Sequence, residues 1–520
     1  MEENKKKTYT SNKKRIAKNT LMLYFRQILI MLVSLYTVRV VLNVLGTEDY
    51  GIYNVVAGVV TMFGFLSGAM ATASQRFFSF EMGRGNTECL KKTFSVTLTI
   101  YVILIAVILV AAETVGLWFI SRKLVIPAER AGAAFWIYQA AVVSFAFTLI
   151  TTPYMASIIA HENMNVYAYV SIVEAVLKLV LVFLLSVIRY DKLIVYGLLM
   201  LGVAVINTSL YRIYCKKHYE ECRFRLVWDK AMFAEIFSYS GWNMFGASIG
   251  IVKNQGINIV LNQFFGPAVN AARSVAAQVN SAVNSFSQNF SVAVRPQIIK
   301  AYAAEKKKEC LEIIFKSCKF TFFLMYIFAL PLVLEMHFVL KLWLKEIPGY
   351  AVIFTQLALI DAVCDTISYP IMTLAQATGK IRLYQGVVGG ILLLNLPVSY
   401  VFLKVGFPPY SVMAIAILIT LLAFLVRLAI IKLLTDFSIL QFLKKTVIPV
   451  IFVAVFSAVL PCVVLIYFKE SLLRFILTIF TSSVTLILFI LLLGMTKPER
   501  KSVLNRVKRV CLTKTNIIKG

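Results

Sequence analysis

The sequence predicts an all-α polytopic membrane protein of about fourteen transmembrane helices. They fall into two lobes of about six helices each, inserted with the same orientation, followed by about two more C-terminal helices. Three observations predict this class: long apolar runs, basic residues gathered in the tails and alternate loops, and a phrase that the chain states twice.

The apolar runs come first. Of 520 residues, 60% are hydrophobic, and mean hydropathy is +0.81. Soluble domains are about 45–50% apolar, and a bilayer span needs about 20 mostly apolar residues. Stretches such as Tyr101–Ala112 and Leu472–Leu493 sit in runs of that kind. A transmembrane barrel would instead read as weak alternating segments of about 10 residues. The spans read at 20–45, 51–74, 94–120, 132–160, 167–188, 193–214, 233–262, 268–293, 317–342, 351–378, 383–403, 410–434, 446–467 and 472–494.

The charge comes second. Lys and Arg number 53 against 25 Asp and Glu, a net charge of +28. In a soluble chain this would suggest nucleic acid. Here the basic residues cluster in the N-terminal tail (Lys5, Lys6, Lys7, Lys13, Lys14, Arg15, Lys18), from Lys497 to Lys519, and in alternate loops. That is the positive-inside pattern, with both termini cytoplasmic and anionic membrane lipid as the attracted surface. Nucleic acid is not an expected partner. The basic start runs into a long helix with no small-residue cleavage site, so no cleavable signal is read. The eight cysteines show no metal-ligand spacing. Cys89, Cys215, Cys222, Cys310 and Cys511 fall on the cytoplasmic side, which predicts free thiols.

The internal echo comes third. VVLNVLG (Val40–Gly46) returns as IVLNQFFG (Ile259–Gly266), with one inserted residue. ECLKKTF (Glu88–Phe94) returns as ECLEIIF (Glu309–Phe315). Pro153, Met155, Ala160 and Tyr167 return as Pro370, Met372, Ala377 and Tyr384. The order and near-constant offset predict a duplication. The offset covers an even number of spans, so both copies insert the same way round and are related by an axis along the membrane normal. The predicted organisation is a basic tail (1–19), an N-lobe (20–214), a linker (215–232), a C-lobe (233–434), an added helix pair (446–494) and a basic tail (495–520). Two like lobes around a cleft suit alternating access.

Ionisable groups inside spans are costly and mark cavities or partners. Those noted here are mostly basic: Arg26, Arg39, Lys178, Lys253 and Arg273. A cationic interior suits an anion, and the planar guanidinium suits phosphate oxygens. Arg39 and Arg273 lie near span ends, where snorkelling is the other reading. Glu174 and Lys178 are four residues apart and can neutralise each other. Asp361 and Asp365 share a helix face. With Glu174 they are the candidates for coupling to a proton or sodium ion, the other reading being pairs with basic side chains. Asn258, Asn280, Asn284 and Gln288 belong to amide-rich stripes on two adjacent spans, which read as the wall of a wet cavity facing sugar hydroxyls. No histidine has a metal-ligand neighbour set, and no phosphate-binding G-x-x-x-x-G-K-[ST] loop occurs. No metal or bound cofactor is expected.

Leu45–Asn86, LGTEDYGIYNVVAGVVTMFGFLSGAMATASQRFFSFEMGRGN, resembles the opening of bacterial polysaccharide-repeat-unit flippases, the O-antigen and capsule exporters of the multidrug/oligosaccharidyl-lipid/polysaccharide superfamily. The matching elements are the turn Leu45, Gly46, Tyr50, Gly51, Tyr53, then a second span and a basic link. The resemblance implies a non-enzymatic flippase in the bacterial inner membrane. It would move a polyprenyl-pyrophosphate-linked oligosaccharide through a cationic cavity, driven by an ion gradient, with polysaccharide assembly proteins as further partners. Two other functions stay open at this point. A drug exporter of the same fold would want an acidic or aromatic cavity. A membrane glycosyltransferase or polymerase would want a sizeable outer loop.

Overall fold

The computed structural model describes residues 2–61, 63–123, 127–225, 227, 229–344, 346–495 and 500. The side chains of residues 1–17, most of the C-terminal basic tail and Cys511 lie outside the described set. Among the described residues every regular element is helical.

The first helices are α1 (Glu2–Thr61), α2 (Gly64–Arg84), α3 (Thr87–Ala111), α4 (Leu117–Lys123), α5 (Ala131–Ala160), α6 (Met164–Val187) and α7 (Lys192–His218). Two long helices follow, α8 (Lys230–Phe265) and α9 (Pro267–Ala303). Then come α10 (Lys307–Leu334), α11 (Met336–Trp343), α12 (Ala351–Thr366), α13 (Ser368–Ala377), α14 (Ile381–Leu393) and α15 (Asn395–Lys404). The chain closes with α16 (Ser411–Leu434), α17 (Ile439–Phe442), α18 (Ile448–Tyr467) and α19 (Leu472–Phe489).

Among the described residues ten helical stretches are long and apolar enough to cross a membrane, or eleven if the pair α12 and α13, bent by 42°, is one span. The expected spans 51–74, 233–262 and 268–293 are not among them. The first falls partly in α1 and partly in α2. The other two lie in α8 and α9, of 36 and 37 residues. At 1.5 Å per residue each runs about 54 Å, ample for a core of about 30 Å. They fall short in composition, because they carry the amides and cations singled out above. A hydropathy test is weakest on helices that wall a polar cavity.

The structure also corrects the loops. The expected cytoplasmic loop 295–316 is almost wholly helical: α9 runs to Ala303 and α10 starts at Lys307. Likewise α2 reaches Arg84 and α3 starts at Thr87. Apolar runs end at the bilayer, whereas helices end where a cap stops them. Gly85, at φ 71, closes α2, and the Asn86 side chain accepts from the Cys89 amide at the start of α3.

Backbone geometry repeats with the sequence. α1 is two helices joined at Gly46, whose φ is 80 and ψ 171. Gly46 and Gly266, Gly85 and Glu305, and Glu162 and Gly379 all have positive φ, at spacings of 220, 220 and 217. The positive-φ residue that closes the first echo, the one that precedes the second and the one inside the third therefore fall at matching places in the two copies. Side chains with a Cβ rarely adopt that conformation.

By contact the chain forms two compact units. Unit 1 is Met1–Ile251, Asn289–Cys310 and Thr373–Gly389; unit 2 is Val252–Gln288, Leu311–Met372 and Gly390–Gly520. These are units of packing, and they cut the chain differently from the lobes, which are units of repetition. In unit 1 one core gathers Val41, Val56, Ile137, Tyr138, Val182 and Leu193. Tyr138 donates to the Ala112 carbonyl at 2.7 Å, beside a π-turn at Ala112–Gly116. A second core packs Phe78, Phe94, Tyr154, Tyr211 and Cys215. In unit 2 the main core joins Leu261, Ala272, Met325, Phe354 and Leu359.

Candidate functional site

Unit 1 holds a partly open cavity of ≈ 620 Å³ walled by α1, α2, α5, α6 and α7. Its polar lining falls in stripes. Tyr167, Ser171, Glu174 and Lys178 succeed one another at steps of four, three and four along α6. Ser144, Thr148, Thr151 and Met155 do the same along α5. That rhythm puts each set on one helix face.

The hydroxyls are bonded back to their own helices. Ser144 donates to the Ala140 carbonyl at 2.7 Å, Thr148 to Ser144 at 3.0 Å and Ser171 to Tyr167 at 2.8 Å. A hydroxyl whose proton is committed to the i−4 carbonyl has acceptor lone pairs left over. This wall therefore accepts hydrogen bonds more readily than it donates them.

Arg26 supplies the donors. Its guanidinium lies 4.5 Å from the Tyr167 ring centroid, 3.5 Å from Ser171 Oγ and 3.2 Å from Asn289 Oδ1. Its Nε is buried with no hydrogen-bond partner. Among the described residues no carboxylate is paired with it. Lys178 is different: its Nζ is 2.6 Å from Glu174 Oε1, and Asn207 donates to Glu174 Oε2 at 3.1 Å. The charge of Lys178 is thus matched within the wall, and that of Arg26 is not.

Unit 2 holds a smaller pocket of ≈ 100 Å³, lined among others by Lys253, Asn254, Arg273, Asn280, Asp361 and Asn395. Arg273 donates to the Asn254 carbonyl at 3.1 Å and to Asn258 Oδ1. Asp361 accepts from the Thr420 hydroxyl at 2.6 Å. Asp365 forms an ion pair with Arg427 of α16 at 2.7 Å and does not line the pocket.

The candidates therefore separate. Arg26, Glu174 and Lys178 meet in the unit 1 cavity, and Lys253, Arg273, Asn280 and Asp361 in the unit 2 pocket. Asn258 holds Arg273, and Asn284 accepts from the Tyr369 hydroxyl at 3.1 Å. Arg39 and Gln288 are exposed and line neither cavity. Sequence reasoning passed over Arg427, although a lone arginine inside an apolar helix is a strong signal. It also passed over Glu335, fully buried and paired with Arg474 at 2.7 Å. The hydroxyl stripes were visible as spacing, but Ser and Thr satisfied by their own backbone are unremarkable in apolar helices.

Long apolar helices around a polar, cationic cavity define a multi-pass membrane protein, and the fold is that of the MATE and MOP-superfamily transporters. One similar structure is a multidrug-resistance MATE family transporter of the MOP superfamily in an outward-facing conformation. It is 13% identical with a TM-score of 0.71, covering 82% of this chain and 97% of that one. A MATE in the bent conformation is 12% identical with a TM-score of 0.71, covering 81% and 96%. A MOP superfamily transporter from Pyrococcus furiosus, described as having a binding pocket of reverse polarity, is 11% identical with a TM-score of 0.68, covering 81% and 96%. At such identities the likeness shows the fold alone. No match is found among curated proteins. The chain belongs to the polysaccharide biosynthesis protein family, whose pattern it matches over residues 16–301.

Proposed function

We propose that this protein moves a polyprenyl-pyrophosphate-linked oligosaccharide across the bacterial cytoplasmic membrane by alternating access, in the synthesis of a surface polysaccharide such as O-antigen or capsule. The observation that carries this reading is Arg26: a guanidinium with no carboxylate partner among the described residues, in a cavity otherwise lined mainly by hydroxyls and apolar side chains. The planar fork suits pyrophosphate oxygens. The hydroxyl oxygens suit sugar hydroxyls as donors. Small-molecule sites span about 300–1,000 Å³, and this cavity falls within that range.

The rest of the proposal follows the sequence: about fourteen spans, both termini cytoplasmic, coupling to a proton or sodium ion, membrane lipid and polysaccharide assembly proteins as partners, and no catalytic step. A cation exporter is less well supported, because Glu174 is held by Lys178 and Asp365 by Arg427.

The test is genetic and biochemical. Deleting the gene should make a lipid-linked repeat unit accumulate on the cytoplasmic leaflet. The wild-type gene should clear it, and Arg26→Ala should not. No accumulation in the deletion strain would sink the glycan reading, and full clearance by Arg26→Ala would sink the role of Arg26.

A further inference from the structure

Helices α2 and α9 occupy matching places in the two repeats, and within unit 1 their C-terminal halves touch. Arg295 Nη1 donates to Gln75 Oε1 at 3.2 Å. Further along, Gly83 packs so closely that a Cβ built on it would lie 2.7 Å from the Lys300 carbonyl oxygen and 2.8 Å from the Ala303 Cβ. Residues 75 and 295 are 220 apart, and so are 83 and 303. That is also the spacing of the left-handed pairs 46/266 and 85/305. Each residue therefore meets its own repeat mate. Self-matched contacts of this kind mark a local twofold axis, here running along two parallel helices.

Two crossed contacts flank that axis. On one side, the turn after α5 presents Glu162, whose side chain is 1% exposed. Its carboxylate accepts from Gln297 Nε2 at 2.9 Å and Lys300 Nζ at 3.0 Å, both on α9. Its carbonyl accepts from Asn19 Nδ2 at 3.0 Å. On the other side, the end of α13 presents the carbonyls of Gln376 and Ala377, which accept from Arg76 of α2 at 3.3 and 3.4 Å. Arg76 also lies over the rings of Phe77 and Phe80. A guanidinium at a helix C-terminus satisfies its last carbonyls and its dipole. Glu162 and Gly379 are the left-handed mates at spacing 217. A Cβ on Gly379 would sit 2.7 Å from Arg76 Nη2, so the glycine, itself at φ 77, leaves that guanidinium its room. Each repeat thus grips the other's corresponding helix end.

We propose that this pair of crossed contacts is a clasp. It holds the two repeats together at the end assigned to the cytoplasm, and its release opens the unit 1 cavity to that side. The contacts suit release: two are hydrogen bonds to carbonyls, and the other two join a carboxylate to an amide and to a partly exposed lysine, groups that water can re-solvate. Only what passes once the clasp opens, and the side it faces, rest on the function proposed above.

The test reads access and needs no substrate. Ser67, on the cavity wall, is replaced by Cys in full-length protein whose native cysteines have been removed. Inside-out vesicles are then treated with a membrane-impermeant maleimide. Glu162→Gly removes the carboxylate while relieving a left-handed non-glycine residue, so it should fold. It should raise the labelling rate about fivefold, the shift expected for the loss of about 1 kcal/mol from the closed state. Gln75→Cys with Arg295→Cys should form a disulfide on mild oxidation, reduce labelling to background, and recover on reduction. Failure of that disulfide to form, unchanged labelling in Glu162→Gly, or equal labelling of the crosslinked and reduced protein would each overturn the clasp. Gated labelling in a protein whose deletion accumulates no lipid-linked glycan would keep the clasp and reject the glycan.

Discussion

The two polar cavities differ in what their cations are doing. In unit 1 the Arg26 guanidinium has no carboxylate partner among the described residues, and the cavity around it measures ≈ 620 Å³. In unit 2 Arg273 is bonded through both terminal nitrogens to Asn254 and Asn258, Asp361 lines the same pocket, Asp365 outside it is neutralised by Arg427, and the pocket is ≈ 100 Å³. A site that must seize an anion needs donors not already satisfied, since replacing one hydrogen bond by another gains little. Both arginines keep a buried, unpartnered Nε and bond neutral oxygens, so room and a carboxylate separate them: the unit 1 cavity is the larger and its Glu174 is taken up by Lys178, whereas Asp361 lines the small unit 2 pocket with Arg273. On the function proposed above, unit 1 is the better suited to capture an anion.

The contrast can be broken most forcefully in unit 2. Asp365→Asn removes the carboxylate 2.7 Å from the Arg427 guanidinium, whose side chain is 9% exposed. Asp365 is 34% exposed, so the expected loss is about 1–3 kcal/mol of stability, below the cost of breaking a fully buried pair, read as a lower thermal midpoint in detergent. Asp365→Asn combined with Arg427→Leu should recover most of it. If Asp365→Asn is silent, the unit 2 wall is not braced.

Next comes Arg26→Ala. Loss of charge-assisted bonds worth about 1.5–3 kcal/mol predicts transport reduced about 10- to 100-fold, with the thermal midpoint little changed. Arg273→Ala should cost about threefold or less, because its pocket is small and already holds the Asp361 carboxylate. Equal losses from the two arginines would erase the distinction between the two cavities.

The smallest effect concerns pH, at the 3-10 turn Glu220–Cys222 of unit 1. Burial pushes the Glu221 carboxyl up, but hydrogen bonds from His161, the backbone and Ser157 outweigh it and leave it below its ordinary 4.5. A lowered folded value means that this stabilisation is present above pH 4.5 and is lost as pH falls below it. The thermal midpoint should therefore drop on acidification through that window, and Glu221→Gln should lose that part of the drop.

Much of this was legible in the chain. The helical class, most of the apolar spans and the repeat came from runs, spacing and echo. The Glu174–Lys178 pair was visible because its members are four residues apart on one helix. The spans that failed the hydropathy test were largely those carrying cavity-wall residues, so function itself blurred the signal. Helix ends were misplaced where helices outrun the apolar stretch, as at Ala303 and Lys307.

The sequence by itself determined the helical class, most of the apolar spans, the repeat and the family, because these depend on local periodicity, constant spacing and short motifs. The tertiary structure alone decided which charges would be left over. Asp365 meets Arg427 across 62 positions, and Glu162 meets Lys300 across 138. Such partners are chosen by how helices pack, and nothing in the spacing of either residue announces the other. Arg26 and Arg427 look alike as letters in apolar helices; packing gave a carboxylate to one and not to the other.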